Sequence, residues 1–110
     1  MEIRRNIAKE RLHQGKTVSC FAGWGFSGPD HIERLAPLQP HGVFLEGEHG
    51  NVDPSNLSNY TRACDIIGAT PIVRINQNDQ GVIYRTLDLG ALGIVVPHVN
   101  NKAEAENVVE

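Results

Sequence analysis

Glu46-Gly47-Glu48-His49 follows directly on the apolar residues 42–45 and runs into Gly50. Imidazole titrates near neutral pH, and a neighbouring carboxylate fixes its tautomer, so a histidine beside two carboxylates suits proton transfer or metal chemistry. The alternative is a polar loop in which Gly47 and Gly50 only permit a turn. Arg74 is the second signal, because it directly follows the apolar Pro71-Ile72-Val73. A guanidinium where a buried strand emerges needs an anionic partner. Two readings stay open for it: an internal ion pair with Glu46 or Glu48, or a bidentate clamp on a carboxylate or a developing enolate oxygen. His98, after Val96-Pro97, is read first as a loop residue and second as a site residue. Trp24 either walls a small-molecule pocket or packs beneath one.

The elements that position these residues alternate regularly. Ile3, Ile7 and Leu12 at helical spacing, with Gly15 as a stop, give an N-terminal helix over residues 2–14. Strands are expected over 17–22, 42–45, 70–75 and 92–96. Helices follow from Pro29, from Asp53-Pro54 to Gly68, from Asn78 or Asp79 to Gly90, and from 101–103 to Glu110, with Asp53 as an N-cap before Pro54 at N1. Short apolar strands separated by helices predict right-handed βαβ units and a parallel sheet buried on both faces. Such a sheet is either a small doubly wound fold or half of an eight-stranded barrel. The segment Gly23–Gly28 fails the spacing of a dinucleotide fingerprint. A last helix that reaches Glu110 without a stop signal reads as cut through, which favours the barrel. The expectation is therefore an α/β fold: the N-terminal half of a (β/α)8 TIM barrel, about four βα units in one domain over 1–110. In parallel α/β folds chemistry gathers at the carboxyl ends of strands. Those ends carry Trp24 to Ser27, Glu46 to His49, Arg74 to Gln77, and Pro97 to Asn100.

Composition narrows the function. The 110 residues carry a net charge of −3 with ten scattered Lys and Arg, which gives no electrostatic footprint for nucleic acid. No apolar run approaches the ~20 residues of a membrane span. The basic start has no apolar core of a secretory signal, and Cys20 and Cys64 lack metal-type spacing. A cytoplasmic protein that binds neither nucleic acid nor membrane is expected.

Taken together, GVFLEGEHG, PIVRINQND and TLDLGALGIVVPHVNN resemble the start of the HpcH/HpaI family of metal-dependent pyruvate aldolases. The family pattern is acid-Gly-Glu-His at one strand end, Arg at the next, Leu-Asp-x-Gly one helix later, then Val-Pro-x-Val. The resemblance implies a carbon–carbon lyase that reversibly cleaves a 2-keto-4-hydroxy acid into pyruvate and an aldehyde. It implies a divalent metal (Mg, Mn or Co) acting as a Lewis acid, with its ligands beyond residue 110 and none in this chain. It casts His49 as the base, or the holder of the basic water, at the pyruvate methyl. It casts Arg74 as the substrate-binding group at the enolate oxygen and Asp88 as the partner of the imidazole. Glu48 matches the family's Glu; Glu46 stands where the family commonly has Asp, and both are possible outer-shell groups. Asp88 ends a helix that runs back from the strand-three end, so reaching His49 requires an Asp88 from a neighbouring subunit. That fits the family's trimers and hexamers. On this resemblance the isolated 110-residue chain lacks aldolase activity. The alternatives are a related acyl-CoA or citrate-type lyase and a non-catalytic half-barrel scaffold.

Overall fold

The computed structural model describes residues 4–22, 28–50 and 52–109. The elements are α1 (Ile7–His13), β1 (Cys20–Ala22), α2 (Pro29–Glu33), β2 (Gly42–Glu46), α3 (Leu57–Ile67), β3 (Thr70–Arg74), α4 (Gln80–Asp88), β4 (Gly93–Val95) and α5 (Lys102–Val109). A 3-10 turn, Ala36–Leu38, links α2 to β2. All four strands are parallel and lie in the order β1-β2-β3-β4. A doubly wound sheet reverses its strand order at a switch point. Here the order never reverses, so right-handed crossovers put the helices on one face, as in an arc of a barrel.

Alternation along the strands separates two faces. Val43, Leu45 and Val73 are buried against Ile32 of α2, Leu57, Tyr60, Ala63 and Cys64 of α3, and Ile83 of α4. Full burial of each large aliphatic side chain is worth about 1.5–3 kcal/mol. The opposite face carries Phe44 beside Ile72 and Glu46 beside Arg74 in register. Phe44 and Ile72 are only half-buried, and Val95 on the same face is exposed.

The N-terminal segment ties down the amino ends of β3 and β4. Ala8 N–H donates to Thr70 Oγ1 at 3.0 Å, and Thr70 Oγ1 donates to Asn6 Oδ1 at 3.0 Å. Asn6 Nδ2 donates to the Leu92 carbonyl at 3.0 Å, and Arg4 pairs with Asp65.

Some boundaries differ from expectation. Helix α1 begins at Ile7, because Asn6 accepts the Lys9 N–H and acts as its N-cap. Asp53 does not cap α3: its carboxylate takes the Ser55 N–H at 2.8 Å, two residues on, in a turn that delays the helix to Leu57. Asp79 is the α4 cap, accepting from Val82 N–H at 3.0 Å. Among the described residues β1 is shorter than expected: its pairing with β2 runs over Cys20–Ala22.

Candidate active site

Parallel register makes Glu46 and Arg74 the last pair of β2 and β3, side by side on the half-covered face. Glu46 is completely buried. Arg74 Nε donates to Glu46 Oε1 at 3.0 Å and Nη2 donates to Oε2, a two-pronged charge-assisted pair. The backbone N–H groups of Glu48 and His49 also donate to Oε1, at 2.7 and 3.2 Å. Burial works to raise the Glu46 pKa, but these donors and the Arg74 charge outweigh it and hold the carboxyl below its ordinary range. The hydrogen bond to Glu46 likewise raises the Arg74 pKa, so the guanidinium stays charged. Arg74 also lies over the Phe44 ring, 5.9 Å from its centroid.

The turn after β2 folds tightly over this pair. Gly47 N–H donates to the Arg74 carbonyl at 2.8 Å, extending the ladder beyond the last strand pair. A Cβ on Gly47 would lie 2.5 Å from that carbonyl oxygen, and one on Gly50 would lie 2.7 Å from the Glu46 oxygen. The two glycines are therefore required for close approach and do more than permit a turn. The fold-back directs Glu48 into the same cluster: its Oε2 is 3.3 Å from Arg74 Nε, and its side chain is 10% exposed.

Two imidazoles meet the other oxygen of Glu48. His98 Nε2 is 2.8 Å from Oε1, and His49 Nε2 is 3.4 Å from it. His98 reaches this place from the β4–α5 loop with φ +57°, a left-handed conformation that costs a non-glycine residue about 1 kcal/mol. The loop is braced from α5. Asn101 Oδ1 accepts the Glu104 N–H at 2.9 Å, Glu104 Oε2 accepts the Asn100 N–H at 2.8 Å, and Asn100 Nδ2 donates to the His98 carbonyl at 3.3 Å.

Glu46, Glu48, His49 and Arg74 thus come together on one rim, linked through Glu48. The ion pair is the reading of Arg74 that the structure bears out, with both glutamates as partners. Asp88 is exposed at the last position of α4, beside the chain leading into β4, and so lies at the amino-end rim. Trp24 to Ser27 lie outside the described residues. Sequence reasoning set His98 aside as first a loop residue. Its position directly after Val96-Pro97, at a strand end on the same rim, was the available signal.

The same geometry tests whether these residues fit a cation. Among the described residues no three His, Cys, Asp or Glu side chains are grouped to hold a metal ion. Both oxygens of Glu46 already face N–H donors. The described residues do not form a ligand set for a metal ion.

A parallel, unreversed α/β arc with carboxylates, a guanidinium and imidazoles at its strand ends defines a barrel-type enzyme segment. Comparison with known proteins narrows the class. The model of the HpcH/HpaI aldolase/citrate lyase family matches residues 24–110, and the chain belongs to that family. It is 38% identical over 90 residues to a hydroxypyruvate/pyruvate aldolase of Rhizorhabdus wittichii, covering 81% of this chain and 36% of the relative. A pyruvate aldolase of Rhizobium etli is 33% identical over 110 residues, covering 99% of this chain and 42% of the relative. The crystal structure of the citrate synthase SbnG superposes with a TM-score of 0.86 at 30% identity, over 96% of this chain and 42% of that one. The chain spans well under half the length of these proteins and corresponds to the N-terminal portion of their barrel.

Proposed function

We propose that these residues supply the proton-handling and anion-holding side of a lyase site that makes and breaks a carbon–carbon bond between pyruvate and an aldehyde. The observation that carries this reading is the convergence of His49 and Arg74 on one rim, bridged by the two oxygens of Glu48. In the proposal His49, with its imidazole 64% exposed, takes or returns the proton at the pyruvate methyl. Arg74, locked by Glu46, offers a preorganised cation to the oxygen that becomes negative as that proton leaves. Asp88 of a neighbouring subunit orients His49 in a homo-oligomer, a trimer or hexamer. Glu48 is proposed as an outer-shell group to a divalent cation, Mg, Mn or Co, whose ligands lie outside these residues. Glu46, buried with both oxygens engaged by N–H donors, does not take the outer-shell place that its sequence position offered. The names of the relatives support pyruvate as the common substrate.

The test is exchange of the pyruvate methyl protons for deuterium, followed by NMR, in the complete enzyme. His49→Ala is expected to slow exchange about 100-fold or more. Undiminished exchange would remove His49 from the chemistry. The likeness to a citrate synthase favours one second reading, enolate chemistry on a citrate-type substrate. Exchange into the methyl group of an acetyl thioester but not of pyruvate would select it.

A further inference from the structure

We propose that His98 is a positioning residue that engages Glu48 Oε1, so that His49, 3.4 Å from the same oxygen, does not close a full hydrogen bond to it and its imidazole stays available for proton transfer; this rests on the aldolase reading above. A carboxylate only accepts hydrogen bonds, so the 2.8 Å contact requires His98 Nε2 to carry the proton and donate it to Glu48 Oε1. The His49 contact to that oxygen, at 3.4 Å, is longer than an ordinary N–H···O bond. Glu48 is therefore fixed at two points: Arg74 Nε at Oε2, 3.3 Å away, and His98 at Oε1. Without His98 the imidazole that the described residues still bring to Oε1 is His49, and a normal bond to it would immobilise the imidazole that the reaction needs free.

The surroundings of His98 are built for this contact. Within this chain its imidazole is 78% exposed, so packing among these residues does not explain its orientation. Its backbone is held at φ +57° by a loop anchored through Asn100, Asn101 and Glu104. Non-glycine residues persist in that region where their surroundings over-determine them, and such positions cluster at functional sites. The same loop could have carried a glycine; it carries a side chain that reaches across from β4 to the turn after β2.

The experiment compares the complete enzyme with His98→Gly and His98→Gln by pyruvate methyl exchange, with kcat and KM measured separately and thermal melting alongside. Glycine relieves the left-handed backbone while deleting the donor, so His98→Gly is expected to keep or raise the melting temperature. Its kcat for exchange should fall about 10-fold, the scale of lost orienting contacts, with KM changed less than about twofold. Glutamine places an N–H near the Nε2 position and should recover most of that loss. No loss in His98→Gly overturns the proposal, as does a loss that glutamine fails to restore or one that follows a lowered melting temperature. Absence of exchange in the unsubstituted enzyme overturns the aldolase reading and the proposal with it.

Discussion

Replacing Glu46 with glutamine isolates the charge at the buried end of β2 at almost constant volume. Glu46 Oε1 accepts three N–H groups, from Arg74, Glu48 and His49, while Oε2 accepts one from Arg74. Glutamine keeps one oxygen, which is best used at the three-donor position. Its amide NH2 then confronts Arg74 Nη2, donor against donor. One charge-assisted bond, worth about 1.5–3 kcal/mol, is lost, and the three that remain weaken to neutral strength. A buried amide costs less to desolvate than a buried carboxylate, which offsets part of these losses and leaves a net of about 3 kcal/mol, at the lower end of the range for breaking a buried ion pair. Equilibrium urea denaturation followed by circular dichroism measures it. The pH dependence supplies the sharper check. Glu46 has its folded pKa depressed below the ordinary 4.5, so its contribution is fully present above that value and is lost as pH falls through the folded pKa. The stability gap between parent and variant should be widest near pH 7 and narrow steadily below about pH 4.5. A gap that stays constant down to pH 3, or a variant as stable as its parent at pH 7, would refute the assignment of Glu46 as a stabilising buried anion.

Two further outcomes follow from the same geometry. Gly50→Ala places a Cβ 2.7–2.8 Å from Glu46 atoms, and the overpacking should cost about 1–3 kcal/mol by urea denaturation while displacing Glu48 and His49, so pyruvate exchange should fall as well. Because Asp88 and His49 occupy opposite rims, mixing His49→Ala and Asp88→Asn subunits of the complete enzyme should restore part of the activity that each variant lacks alone. Unrestored activity in hybrid oligomers would mean that the site is not shared.

Much of the fold was legible because its signals are local. Val43, Leu45 and Val73 sit in short apolar runs, Asp79 precedes a helical pattern, and Gly68 closes one; each statement needs only neighbours in sequence. Asp53-Pro54 misled for the same reason. The pair is a sound helix start in isolation, but the Asp53 carboxylate takes the nearer Ser55 N–H and a turn precedes the helix. The partnership of Arg74 was narrowed to two glutamates by charge alone, and the choice between them proved unnecessary, since Arg74 touches both. What composition and spacing could not supply is the register. Only when Glu46 is set level with Arg74 does it become clear that the first glutamate is consumed as a structural counter-ion.

That division of labour decides how the rim works. Glu46 fixes the guanidinium from below, with no surface left to solvent, and cannot also serve a substrate. Glu48 stands one turn residue further out, still touching Arg74 but reachable by two imidazoles from different loops. On the proposed reading the proton step on this rim falls to His49, with Glu48 held beside it by Arg74 and His98. The spacing Glu-Gly-Glu achieves this because Gly47 brings the chain onto the Arg74 carbonyl, so that two carboxylates separated by a single residue face one cation from two levels.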